Sequence, residues 1–425
     1  MNQSIPEFLS QRLARPAAVF GGAVSGAGAV SLLTKIGATA VVYDRKALEF
    51  TVEASQKHGF VVYSPGFAPN HPWLRMAREA GCICMAEIDF ASLFWRGRII
   101  AITGTNGKTT LTEFLAHALT ASGKLAYAAG NIGVPFSQLV ADQEGGGQNV
   151  TAVCEVSSFQ SERLGHFCAD NLLWTNFAED HLERHNGMEA YFAAKWELVL
   201  RTPSSRFFAG SSVQRYAAQF GRMLAPSSCV PTEGQPEDPQ LEGSAFATYP
   251  QRENFILAAA FWRSQGMPEA DLYAAARSFH VGRHRITRVA TIDEVTYWND
   301  SKGTNFHAVE AALSAFKKPV VLIAGGRSKG GDTAGFVNRI APRLIHAMLI
   351  GETAAELGAA CEAIGLPHSF CASLEDAVRT AASVAPAGGD VILSPGFSSF
   401  DMFLNYEDRG NRFEKAVNEL HAARV

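Results

Sequence analysis

Short β-branched apolar runs alternate with amphipathic stretches along this chain, and the alternation continues almost from end to end. Ala17 to Phe20 reads as a strand, Gly21-Gly22-Ala23-Val24-Ser25-Gly26 as a glycine-rich turn, and the stretch through Leu33 as a helix. A second strand, Ala38 to Tyr43, ends at Asp44, and a third, Phe60 to Tyr63, empties into Ser64-Pro65-Gly66. Ile99 to Ile102 has the composition of a buried parallel strand. Beyond it, Leu111, Phe114, Leu115, Ala118 and Leu119 fall at i, i+3, i+4, i+7 and i+8, the stripe of a helix packed on a core. Thr151 to Glu155 reads as another strand. Asn254 to Phe261 and Leu272 to Phe279 read as helices, whereas Pro203 to Pro250, rich in Ser, Pro, Gly and Gln, predicts loops and short strands. The last third restarts the alternation with strands at Val295 to Trp298, Val320 to Ala324, Ala347 to Ile350 and Asp390 to Leu393. A helix carrying Phe306, Val309, Leu313 and Phe316 follows the first of these, and no internal repeat of fixed period interrupts the pattern.

The most informative chemistry stands between Ile102 and the helix after it: Thr103-Gly104-Thr105-Asn106-Gly107-Lys108-Thr109-Thr110. Strand, glycine loop, Lys-Thr and helix make a phosphate cradle. Main-chain N–H groups and the positive helix end face the anion, Lys108 adds a charge, and the Thr109 hydroxyl is placed to ligate Mg²⁺. Ile102 occupies the position of the first glycine of the common phosphate loop, so this is a shorter form. The first βαβ unit has the layout of a nucleotide-binding half-fold, but Ala23 replaces the second glycine of the dinucleotide fingerprint, which weakens a dehydrogenase reading. The pattern predicts an α/β protein of three domains. These are a Rossmann-like domain over residues 1–96, a central P-loop-type domain with a mostly parallel sheet over residues 97–281, and a Rossmann-like domain over residues 282–425.

Composition narrows the partners. Of 425 residues, 47% are hydrophobic and 18% charged, as in ordinary globular proteins. A net charge of −4 provides no basic field for nucleic acid. Seven cysteines without paired spacing beyond Cys82 and Cys84 point to reduced thiols. No apolar run approaches the roughly 20 residues that span a bilayer, and the opening Met1-Asn2-Gln3-Ser4-Ile5-Pro6-Glu7 lacks the regions of a secretory signal. A cytoplasmic protein without a membrane partner is expected.

Other polar groups sit where strands end. Glu155 closes a strand in the domain of the phosphate loop, the place for a Mg²⁺ ligand. Asp180-His181 offers a carboxylate and an imidazole at another strand end. Lys195 shares a helical face with Tyr191, Phe192 and Val199; it either snorkels to solvent or, desolvated, takes up CO₂ as a carbamate. Asn299-Asp300-Ser301-Lys302-Gly303-Thr304-Asn305, Gly325-Gly326-Arg327-Ser328-Lys329 and Ser394-Pro395-Gly396-Phe397-Ser398-Ser399-Phe400-Asp401 follow three strands of one predicted sheet. Loops at such strand ends form the crevice where open sheets bind ligands. Arg283-His284-Arg285 offers two arginines for a phosphate or for surface ion pairs.

With these residues laid out, the chain resembles the Mur ligases, ATP-dependent amino-acid-adding enzymes of peptidoglycan precursor synthesis. The resemblance rests on Thr103 to Thr110, Gly130-Asn131-Ile132-Gly133, Glu155 to Gln160, Asn176 to His181, Ala194-Lys195, His284-Arg285, Asn299 to Asn305 and a run from Leu393 to Phe413. That last run, with Ser399, Asp401, Phe403, Tyr406 and Arg409-Gly410-Asn411, is similar to the pocket of the branch that adds D-glutamate to UDP-N-acetylmuramoyl-L-alanine.

The resemblance implies that Gly104, Thr105, Asn106, Gly107, Lys108, Thr109, Thr110, Asn254, Arg285 and Asp300 hold ATP, with His284 beside them. Thr109, Glu155, His181 and a carbamylated Lys195 would ligate two Mg²⁺ ions. Ser25, Asp44, Arg45, Gly66, Asn131 and Ser157 would hold the UDP substrate, and Lys302, Thr304, Lys329, Ser399 and Tyr406 the amino acid. Lys108, His181, Lys195, Arg285 and Lys302 would serve the reaction itself, in a monomer acting on small molecules. The chain departs from the family at Ala23, at Arg252-Glu253-Asn254, where the adenine-side motif keeps only Asn254, and at Gly396-Phe397. A sister ligase adding another amino acid, such as L-alanine, and a non-catalytic nucleotide-sugar-binding protein are the alternatives. The run from Ser394 to Phe413 counts against the first, and the set Lys108, Glu155, His181 and Lys302 against the second.

Overall fold

A computed structural model of the protein describes residues 5–422, so Met1 to Ser4 of the opening segment lie outside it. Three sheets carry the fold. The first is all-parallel, in the order β2-β1-β3-β4, from β1 (Ala17–Phe20), β2 (Ala40–Tyr43), β3 (Phe60–Tyr63) and β4 (Ile83–Ala86). The second is also parallel, in the order β6-β7-β5-β8-β9. Its strands are β5 (Arg98–Thr103), β6 (Leu125–Gly130), β7 (Val150–Glu155), β8 (Asn171–Trp174) and β9 (Phe207–Ala209). The third has the order β10-β11-β15-β12-β13-β14. It comprises β10 (Thr287–Ile292), β11 (Val295–Asn299), β12 (Val320–Gly325), β13 (Leu344–Ile350), β14 (His368–Phe370) and β15 (Asp390–Leu393). Only its β10–β11 pair is antiparallel. The fold is α/β, as the periodicity predicts.

Two compact units form. One comprises residues 1–177, 189–244 and 253–279 and holds the first two sheets; the other comprises residues 178–188, 245–252 and 280–425 and holds the third. Inside the first unit, the short helix Glu87–Ser92 fastens the first sheet's layer to the second through two buried carboxylates. Glu87 accepts hydrogen bonds from the Ser137 amide and hydroxyl, and burial pushes its carboxyl up. Asp89 accepts the main-chain N–H groups of Gly165, His166 and Phe167 at 3.0, 2.8 and 2.8 Å.

Differences from the sequence reading are local. Ser211–Gln219 is a helix inside the stretch expected to be loops and short strands. Its buried Val213 and Ala217 lie four apart, too sparse a stripe to stand out from the polar residues around them. The strand β10 escapes the alternation rule because only Ile292 of its six residues is fully buried. The seven cysteines are all free. Cys82 is buried and Cys84 partly so.

Candidate active site

In the first unit the phosphate loop leaves the carboxyl end of β5, the central strand of its sheet. Glycine is required twice. Gly104 has φ +148°, and a Cβ there would stand 1.9 Å from the Thr175 hydroxyl oxygen. Gly107 caps the helix Lys108–Ala121 in the left-handed region, where a Cβ would meet the Asn254 amide at 2.5 Å. The end of β8 braces the loop. The Asn106 N–H donates to Asn176 Oδ1 at 2.9 Å, and the Thr175 hydroxyl donates to the Asn106 carbonyl at 2.6 Å. Lys108 Nζ donates to the Thr105 carbonyl at 2.9 Å, which folds the ammonium back over the loop.

Three sequence-predicted residues converge beside this loop. Glu155, almost wholly buried at the end of β7, accepts the Thr109 hydroxyl at 2.7 Å and the Asn131 amide at 3.0 Å. A buried carboxylate with a hydroxyl next to it is a set of hard oxygen donors, which suits Mg²⁺. Among the described residues no three of His, Cys, Asp and Glu converge.

Lys195 does not snorkel. It is 1% exposed, and its ammonium donates to the Gly104 carbonyl at 2.9 Å and lies 5.0 Å from the Tyr191 ring centroid. Tyr191 in turn meets the Thr105 hydroxyl at 3.3 Å. Ser157 caps the helix Ser158–Ser161 in a reciprocal box with Gln160. In the first sheet's layer, Ser25 lies in the first turn of the helix Val24–Lys35 and Gly66 in the exposed loop after β3. Asp44 accepts the Gly22 and Lys46 N–H groups, which hold its carboxyl below the usual range, and Arg45 meets His71 at 2.9 Å. Burial raises the Glu253 carboxyl, next to Asn254, to about 7.

The second unit gathers a different set. Asp180 is 7% exposed at its side chain; it accepts Lys329 Nζ at 3.1 Å and the Asn305 amide at 3.1 Å. Lys329 also reaches the Thr304 hydroxyl at 3.4 Å. Glu179, Asp180, Thr304, Lys329, Gly396 and Phe397 line a small cleft here. His181, in a left-handed conformation at φ 54°, is partly exposed next to Asp180. Lys302 Nζ lies 4.8 Å from the Tyr406 ring centroid, and Ser399 is buried. Asp300 is buried and accepts the Ser394 hydroxyl at 2.7 Å; burial pushes its carboxyl up to about 7 against the nearby Arg285. Arg283 makes the surface ion pair, with Glu414, while His284 is buried against Asn299 at 2.9 Å.

Sequence reasoning assigned no role to Asn305, Tyr191 or Ser394. The signal for Asn305 was its place as the cap of the helix Phe306–Ser314, where its carbonyl is used locally and its amide is left for Asp180.

Comparisons with known proteins show the family. The family pattern for the Mur ligase middle domain matches residues 102–234, and that for the Mur ligase glutamate ligase domain matches residues 284–396. A UDP-N-acetylmuramoylalanine–D-glutamate ligase of Desulfotalea psychrophila is 36% identical over 402 residues, covering 89% of this chain and 86% of that protein. One of the same name from Alkaliphilus metalliredigens is 32% identical, covering 95% of this chain and 97% of its own. Two solved structures share the fold. UDP-N-acetylmuramate-alanine ligase MurC from Thermotoga maritima has a TM-score of 0.58 at 15% identity, covering 95% of this chain and 99% of that one. MurF from Acinetobacter baumannii has a TM-score of 0.60 at 15% identity, covering 85% and 92%. With its phosphate loop, its buried Glu155 and these matches over most of its length, the chain belongs to the Mur ligase family of ATP-dependent ligases.

Proposed function

We propose that this chain joins D-glutamate to UDP-N-acetylmuramoyl-L-alanine at the expense of ATP, releasing ADP and phosphate. The observation that carries the chemistry is the convergence of Thr109, Glu155 and Asn131 beside the phosphate loop. The names of the full-length relatives carry the choice of amino acid. The substrate carboxylate attacks the γ-phosphate in line, giving an acyl phosphate and ADP. The D-glutamate amine then attacks the acyl carbon, and phosphate leaves from the tetrahedral intermediate. Magnesium, when bound, neutralises charge on the phosphate oxygens that would otherwise repel the carboxylate.

Each side chain then has a task. Gly104, Thr105, Asn106, Gly107 and Thr110 shape the loop, and Lys108 holds the phosphates. Asn254, Arg285 and Asp300 serve the nucleotide. Thr109, Glu155 and His181 take up two Mg²⁺ ions, with Lys195 as a carbamate in place of the ammonium that now bonds Gly104. Carbamylation would turn a buried cation into an anionic oxygen donor. Ser25, Asp44, Arg45, Gly66, Asn131 and Ser157 hold the UDP substrate; Lys302, Thr304, Lys329, Ser399 and Tyr406 hold the amino acid. His181 is the candidate base for the amine proton. The three tasks divide the chain at residues 96/97 and 281/282, in a cytoplasmic monomer. That division is supported by the three sheets; among the described residues no helix is long and apolar enough to cross a membrane.

The test is phosphate release with ATP, Mg²⁺, UDP-N-acetylmuramoyl-L-alanine and a panel of D- and L-amino acids. Release is expected with D-glutamate; its absence, or preference for another amino acid, overturns the reading.

A further inference from the structure

Arg409 lies in the last helix, Tyr406–Ala422, and its side chain is wholly buried. Tyr406, Arg409, Gly410 and Phe413 fall at i, i+3, i+4 and i+7, so the guanidinium occupies the core-facing stripe of that helix. Gly410 keeps the stripe shallow, since a Cβ there would stand 2.3 Å from the His284 ring. A buried guanidinium is usually matched by a carboxylate. Here its hydrogen bonds go elsewhere: Nε donates to the Ser301 hydroxyl at 3.0 Å, Nη2 to the Ser301 carbonyl at 2.9 Å and Nη1 to the Phe397 carbonyl at 3.2 Å. The Ser301 hydroxyl in turn donates a hydrogen bond to the Tyr406 carbonyl at 2.8 Å. Burial lowers the guanidinium to about 10, opposed by the fields of Asp401 and Asp300, so it remains a cation at neutral pH.

Ser301 and Phe397 belong to different strand-end loops. The first, after β11, carries Lys302 and Thr304; the second, after β15, carries Ser399. We propose that Arg409 is a positioning residue that fixes these two loops in register, so that the groups holding the amino-acid substrate are set before it arrives. The fork geometry of guanidinium is what reaches both carbonyls at once, and a single ammonium does not reproduce it. Every contact of the clamp lies within the second unit, so its loss weakens amino-acid binding and leaves the phosphate loop and the UDP site untouched. The inference rests on the assignment of Lys302, Thr304 and Ser399 to D-glutamate made above.

The test uses the full chain with Arg409→Lys and, as a milder change that keeps the guanidinium, Ser301→Ala. Phosphate release is measured with D-glutamate, ATP and the UDP substrate varied in turn. Arg409→Lys is expected to raise the KM for D-glutamate at least tenfold and Ser301→Ala about threefold, with the KM for the UDP substrate within twofold of the parent. If Arg409→Lys does not fold, Ser301→Ala decides alone. An unchanged D-glutamate KM in the folded variants, or an equal rise in all three constants, overturns the role of Arg409. A parent enzyme that releases no phosphate with D-glutamate overturns the functional reading instead.

Discussion

Asp300→Asn isolates one buried carboxyl and shows what its burial costs. Asp300 has Ser394 as its hydroxyl donor and Arg285 and Arg409 as neighbouring cations, yet burial outweighs them and raises the carboxyl from 3.8 to about 7. In the unfolded chain the same group ionises near 3.9. Between these two values the folded state binds the extra proton, so this group's contribution to stability falls as pH rises from about 4 to about 7 and is flat above that. At about 1.4 kcal/mol per pH unit the full loss is about 4 kcal/mol, of which about 2 kcal/mol falls between pH 5 and pH 7. Asparagine accepts the Ser394 hydrogen bond and cannot ionise. Urea unfolding of parent and variant at pH 5, 6, 7 and 8, followed by tryptophan fluorescence, gives the difference directly and cancels every other titrating group. The variant should gain on the parent by about 2 kcal/mol from pH 5 to pH 7 and by less than about 0.5 kcal/mol beyond. Parallel stability curves would refute the reasoning, because they would mean that Asp300 carries the same charge in both states.

Three further perturbations probe the first unit. Lys108→Ala should lower turnover by about a thousandfold or more, through lost charge stabilisation at the phosphates; calorimetric binding of the UDP substrate should persist, and a fully active variant would remove Lys108 from the phosphate site. Lys195→Ala should be inactive and partly restored by high bicarbonate or short carboxylic acids if a carbamate is the working form, and restoration by neither would argue against it. Asp89→Ala removes the acceptor of three main-chain N–H groups, that of Phe167 buried and those of Gly165 and His166 part-buried, and should destabilise the chain by about 2 kcal/mol or more in urea; a change under about 1 kcal/mol would show that water replaces the carboxylate freely.

The sequence was most legible where function depends on neighbours in the chain. The phosphate loop, its strand and its helix follow from local spacing, because the same eight residues supply the turn, the charge and the N–H groups. The ends of β1, β3 and β15 also fall where alternation predicts them, because a parallel strand buried on both faces leaves an unbroken apolar run. The helix Ser211–Gln219 did not announce itself, since tertiary packing of two small apolar residues, and not a strong stripe, decides it.

What the chain alone determined, then, is which residue types stand at the ends of its strands. Which of them touch was decided by the order of strands in each sheet. Placing β7 beside β5 brings Glu155 to Thr109, forty-six residues away. Seating the last helix against β10 and β11 brings Arg409 to both Ser301 and Phe397. Spacing cannot report such contacts, because they depend on long-range pairing and on desolvation. The same burial that joins these groups also sets the charge on Asp300 and keeps Lys195 from water.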